Sequence, residues 1–210
     1  LYRIPLNLNF YDQPMSANQF LKQGVERIRI SNNPHVASHP TYDPVTERLY
    51  VGTGDDRVAK INPLSMRIER WYSTGNRVVA APTVLGDDLI AYSTGNRARL
   101  FLAKGIERHV VNMGAAPAEI TGTLAVKETS EGPIIFVPIT YRGINRAGYV
   151  DAFRVIDNGS GKVPSIQYVW PRPFRTDNGV AASIVYDEER NRIYFSDKSG
   201  TVYAVNARNG

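Results

Sequence analysis

Cysteine is absent from this 210-residue chain, which excludes a disulfide framework, a thiolate nucleophile and any sulfur-ligated metal site. No hydrophobic run approaches the ~20 residues that a helical membrane span needs, and no secretory leader is visible. The sequence carries no nucleophile elbow, phosphate-binding glycine loop or zinc signature. Its basic residues form no stripe with interleaved aromatics, which argues against nucleic acid as a partner. The cation excess is mild, 25 Lys and Arg against 20 Asp and Glu, a balance that serves solubility as readily as binding. What remains is a chain long enough to bury one proper core.

The positive content is repetition. The strand-and-turn grammar of Thr201 to Gly210 recurs at Arg57–Pro63, Arg97–Ala103 and Tyr149–Val155. A second strand type, often opening hydrophobic-Glu-Arg, appears at Val25–Ile30, Ile68–Tyr72, Ile106–Val111 and Ile166–Trp170. After each comes a small-residue strand: Val36–Tyr42, Val79–Leu85, Glu119–Ala125 and Val180–Tyr186. Charged hairpins at 43–48, 86–88, 128–132 and 187–192 follow, leading into the most hydrophobic strands, Leu49–Gly52, Leu89–Tyr92, Ile134–Val137 and Ile193–Ser196. Short β-branched and aromatic runs bounded by Gly, Asp and Asn are strands and hairpins. The first two intervals match the roughly 40–50 residues of a four-stranded propeller blade. The third is longer because the Gly-, Asn- and Pro-rich stretches 142–148 and 157–164 read as insertions.

The expected fold is therefore an all-β propeller of four-stranded antiparallel blades, with approximate repeats 25–65, 66–104, 105–164 and 165–210 behind an N-terminal arm, 1–24. Ala37, Ala80, Ala81, Gly122, Ala181 and Ala182 fall where inner strands converge on a crowded axis. Val25–Ile30 is expected to pair with Thr201–Ala207 and close a ring of four, hiding sheet edges. The pattern also fits part of a larger ring of seven or eight blades, or two copies forming a ring of eight. In the arm, Ser16–Gln23 reads as two helical turns capped by Ser16 and stopped by Gly24.

The endings Tyr203–Gly210 and Ala59–Ser65 resemble the pyrroloquinoline-quinone-like repeat family, over roughly residues 25–210. Trp71 and Trp170 stand on the strands where that family places the Trp that docks adjacent blades; His109 and Ile28 or Ile30 take that place in the other copies. The resemblance implies an extracytoplasmic location. The family includes quinone-dependent alcohol dehydrogenases as well as non-catalytic scaffolds, and it specifies fold more than activity. The adjacent cysteines typical of the dehydrogenases are missing, and the small, mostly apolar channel strands lack the aromatic floor, calcium ligands and general-base Asp a quinone needs. No cofactor and no metal are expected.

Basic residues recur in loops assigned to one end of the ring: Arg57, Arg77, Arg97, Arg142, Arg146, Arg175 and Lys198. These are the candidate contacts for an anionic ligand or acidic partner surface, interrupted by Asp55, Asp56, Asp177 and Asp197. The pentapeptide Ser-Thr-Gly-Asn-Arg occurs at 73–77 and 93–97; Gly-Asn supplies positive-φ turn residues in both. His35 and His39 are flanked by Pro34 and Pro40, which rule out a helix presenting both to one metal. Asp87-Asp88 reads as a hairpin turn, and Asp151 and Asp157 lack any partner base. The leading expectation is a non-catalytic scaffold or subunit that binds other proteins. A fragment or subunit of a quinoprotein-like oxidoreductase is the alternative. A propeller binding carbohydrate or an anionic ligand, with Tyr141 and Tyr149 stacking on sugars, is a third.

Overall fold

Strand follows strand throughout the computed structural model, which describes residues 2–3, 26–33, 38–95, 97–113, 117–142, 147–159 and 161–210. The first full sheet comprises β3 (Thr41–Asp43), β4 (Arg48–Gly52), β5 (Arg57–Asn62) and β6 (Arg67–Ser73), paired in chain order. The second repeats it with β7 (Thr83–Gly86), β8 (Leu89–Ser93), β9 (Arg99–Lys104) and β10 (Glu107–Asn112). Every pairing is antiparallel. Short side chains close the hairpins. Asp43 accepts the Val45 N–H at 2.9 Å in blade 1, and Asp87 and Asp88 both adopt positive φ in blade 2, as a type I′ hairpin turn requires.

Blade 3 is a broadened version. Its centre is β13 (Ile134–Tyr141) against β14 (Gly148–Ile156); β11 (Ala118–Glu119) and β12 (Ala125–Lys127) share the inner edge of β13, while β15 (Ser165–Tyr168) and β16 (Phe174–Thr176) share the outer edge of β14. The sequence reads Glu119–Ala125 and Ile166–Trp170 as unbroken strands. The first parts around Gly122, and the second ends before Pro171 and Pro173, which have no N–H for a ladder. Blade 4 consists of β17 (Val185–Asp187), β18 (Arg192–Ser196) and β19 (Val202–Asn206).

The blades stack through apolar seams. Tyr50, Val58 and Tyr72 meet Ile90, Tyr92 and Phe101 between blades 1 and 2; Leu89, Leu100 and Leu102 meet Ile135, Val137 and Phe153 between 2 and 3; Phe136, Ala152 and Trp170 meet Ile193, Phe195 and Val205 between 3 and 4. Alternation on each strand supplies both faces of a blade, so the sheets form consecutive blades of a β-propeller. The arc is open. No apolar cluster of described residues joins blade 4 to blade 1.

The expected closure is corrected by the pairing itself. Within Val25–Ile30, the described Glu26–Arg27 (β2) pairs with Tyr2–Arg3 (β1), while β19 pairs with β18 alone among the described strands. The cause is local. Ile30 packs on the face of blade 1 formed by Val51, Ala59 and Ile61, and Asp55 accepts hydrogen bonds from Ser31 Oγ at 2.7 Å and Asn32 N–H at 3.0 Å. These contacts hold the segment against blade 1. The helical turns expected at 16–23, Ala37 and His35 lie outside the described residues, and His39 is exposed.

Candidate functional site

Backbone hydrogen bonds tie the loops at one end of the blades into a continuous belt. Thr74 N–H donates to Asp56 at 2.8 Å, Gly95 N–H to Arg77 at 3.0 Å, Ile120 N–H to Thr94 at 3.3 Å, Arg142 N–H to Pro117 at 2.7 Å and Lys198 N–H to Gly179 at 2.9 Å. Thr140 Oγ1 completes the series, donating to Val180 O at 2.9 Å. The twin pentapeptides meet in this belt, since the Arg77 carbonyl of one accepts from Gly95 of the other. Lys198 is presented by a turn that Asp197 builds, accepting from Ser199 N–H at 2.9 Å and Thr201 N–H at 3.1 Å. The Ser199 hydroxyl and these amides hold the Asp197 carboxyl below its usual range.

On this belt lies a recess of about 320 Å³ lined by Gly54, Asp56, Asn76, Arg77 and Arg142. Beside it, Arg142 and Lys198 converge on Glu119. Arg142 Nε lies 2.8 Å from Glu119 Oε2, with a second guanidinium nitrogen on the same oxygen, and Lys198 Nζ lies 3.3 Å from Oε1. The Glu119 side chain is only 7% exposed, against 51% for Arg142 and 49% for Lys198. A carboxylate so deeply placed needs paired charge to offset desolvation. Two cations over one carboxylate leave surplus positive charge facing solvent, and Arg77, exposed and without an ion pair among the described residues, adds to it. Such an array can donate hydrogen bonds to carboxylate or phosphate oxygens.

The other basic positions are spread out. Arg57 lies over the ring of Trp71, 5.6 Å from its centroid, beside a smaller recess of about 140 Å³ with Asp55, Ser31 and Asn32. Arg97 is exposed at φ 63°. Arg175 sits within β16 opposite Tyr149, in a strand and not in the loop the sequence indicates. Arg146 lies outside the described residues. The two tryptophans differ: Trp170 is 2% exposed in the seam between blades 3 and 4, while Trp71 is 39% exposed and on the face of blade 1 turned away from blade 2. Trp71 shares that face with Ala59 because the two are cross-strand partners.

Glu119 is the residue the sequence reading missed as part of the site. The signal was available: an acidic residue opening a strand of small and apolar residues is buried only with a partner. Tyr141 and Tyr149 form an edge-on pair 5.3 Å apart and pack on the seam between blades 2 and 3. Asp157 pairs with Lys104 of blade 2, which keeps its carboxyl low. Among the described residues no three His, Asp or Glu side chains gather as a metal would need.

Asp151 behaves differently. It is 6% exposed in blade 3, its Oδ1 accepting the Ala152 N–H at 2.9 Å, and burial pushes its carboxyl above the ordinary value. A carboxyl with a raised folded-state pKa costs stability once ionised, so its penalty is absent below the unfolded pKa and grows as pH rises through the folded one. Asp151→Asn is therefore expected to raise the denaturant midpoint at pH 7, with the gain shrinking toward about pH 4. Urea titrations at several pH values decide it; a gain independent of pH overturns the assignment.

Comparison with known proteins places only the architecture. No family model matches the chain, and no curated protein matches it. Among solved structures it is similar to a quinohemoprotein alcohol dehydrogenase from Pseudomonas putida HK5, with a TM-score of 0.56 at 16% identity over 82% of this chain. The chain covers 32% of that protein's length. At this identity the likeness is one of fold.

Proposed function

We propose that this propeller is a non-catalytic, extracytoplasmic scaffold or subunit whose belt of loops takes an acidic surface of a partner protein. The supporting observation is the convergence of Arg77 and Arg142 on one recess, with Lys198 and the buried Glu119 beside it. The belt of backbone bonds fixes the loops that carry these side chains, which lowers the ordering cost of binding. Electrostatic complementarity of this kind acts on encounter rate and partner choice, and weakens with salt. The extracytoplasmic placement rests on the repeat resemblance. The second reading is a fragment or subunit of a quinoprotein-like oxidoreductase, the class of the protein whose fold this chain shares; a quinone chromophore on the native protein would favour it.

Poly-L-glutamate is a direct probe of the belt. Arg77→Glu is expected to weaken its binding tenfold or more and to flatten the salt dependence, with the melting temperature unchanged. Equal binding by the variant, or no binding by the native protein at low salt, sinks the proposal.

A further inference from the structure

The recess on the belt has a feature that an acidic partner surface leaves unexplained. Asp56 lines it together with Arg77 and Arg142. Asp56 and Arg77 are both exposed, and neither makes an ion pair among the described residues. Opposite charges thus share one recess without neutralising each other. An unpaired carboxylate beside an anion site works against any occupant that is purely acidic.

Each charge has its own anchor. The N–H of buried Thr74 donates to the Asp56 carbonyl at 2.8 Å, and its hydroxyl donates to the Asn76 carbonyl. The Arg77 side chain runs beside the second pentapeptide: a Cβ at residue 95 would stand 3.7 Å from Arg77 Nε. Arg142 is oriented by Glu119, which accepts from its Nε and Nη2 on one oxygen. The edge of the guanidinium fork between its two terminal nitrogens is left for a ligand.

The charges then count the ligand. Arg142 and Lys198 share the single carboxylate of Glu119 and leave one positive charge. Arg77 adds a second and Asp56 offsets one, so the recess and its rim complement a ligand of net charge minus one. Its volume of about 320 Å³ lies at the small end of the roughly 300–1,000 Å³ of ligand pockets, which suits a small molecule.

We propose that the recess binds a free acidic amino acid, a molecule with two carboxylates and one ammonium group. One carboxylate meets the open edge of Arg142, the other meets Arg77, and the ammonium meets Asp56. Hydrogen bonds between charged groups are the short, strong ones, and the Arg fork adds geometric selectivity. The inference rests on the cations of the docking reading and goes beyond it in giving Asp56 a role.

The test titrates L-glutamate into the native protein at low salt by calorimetry, with glutarate, the same dicarboxylate without its ammonium group, as the comparison. Saturable glutamate binding is expected, with glutarate weaker by about tenfold or more. Asp56→Asn, which Asn tolerates at the positive φ of 59°, is expected to weaken glutamate by a similar factor and leave glutarate no weaker. Arg77→Gln is expected to weaken both. Melting curves confirm that the variants are folded. Poly-L-glutamate has no use for Asp56, so its binding is expected to survive Asp56→Asn, and the two readings fail separately. Absence of saturable glutamate binding overturns the inference. So does glutarate binding as tight as glutamate, or glutamate binding indifferent to Asp56→Asn.

Discussion

Trp170→Ala is expected to cost about 3–5 kcal/mol of stability, the range for removing a large buried aromatic. The ring lies between blades 3 and 4, 5.7 Å from Phe136 centroid to centroid, and its Nε1–H donates to the Ala207 carbonyl at 3.1 Å. Truncation empties the seam and leaves a buried acceptor unpaired, and the second effect adds to the first. At roughly 2–4 °C per kcal/mol for a chain of this size, the melting temperature is expected to fall by about 10 °C. Trp71→Ala is the contrast. That ring is 39% exposed, with Arg57 stacked on it, an arrangement worth about 0.5–1 kcal/mol. Calorimetry on both variants separates the two tryptophans, and equal losses would falsify the difference drawn between them.

Gly122→Ala is expected to cost about 1–3 kcal/mol or more, the usual penalty for overfilling a packed site. A Cβ at Gly122 would stand 2.1 Å from the Ala182 carbonyl oxygen and 2.7 Å from its carbon. The obstacle is backbone, so no side chain can rotate aside; the bends at 122 and 182, where blades 3 and 4 meet, must part. Ala182→Gly is accordingly expected not to rescue Gly122→Ala. Urea midpoints of the two single variants and the double variant decide this. Rescue would mean that the clash lies in the Ala182 methyl and not in its carbonyl.

The blade arrangement was legible because each level of the sequence agrees with the next. Alternation marks the strands, Asp-rich turns mark the hairpins, and the same order returns at near-regular spacing. Gly122 and Ala182, read as axis-lining positions, are in contact across two blades. What periodicity leaves open is which strand takes a given edge. Val25–Ile30 has the same alternation as β6 and β10, and pattern alone does not choose between β19 and a place beside blade 1. The choice is made by Asp55, which reaches Ser31 and Asn32, and by the apolar floor under Ile30. The basic loops were readable one by one, but not which of them share a recess, because that depends on how far each blade turns from its neighbour. Glu119 was hidden for a related reason: its partners, Arg142 and Lys198, come from distant parts of the chain.

The two ends of the row of blades are not equivalent. Ile30 packs against the face of blade 1, whereas Val185 and Val202 on blade 4 stay exposed among the described residues. Removal of apolar surface from water is therefore lopsided: residue 30 adds hydrophobic stabilisation to the face of blade 1, and the valines of blade 4 gain none from any described neighbour.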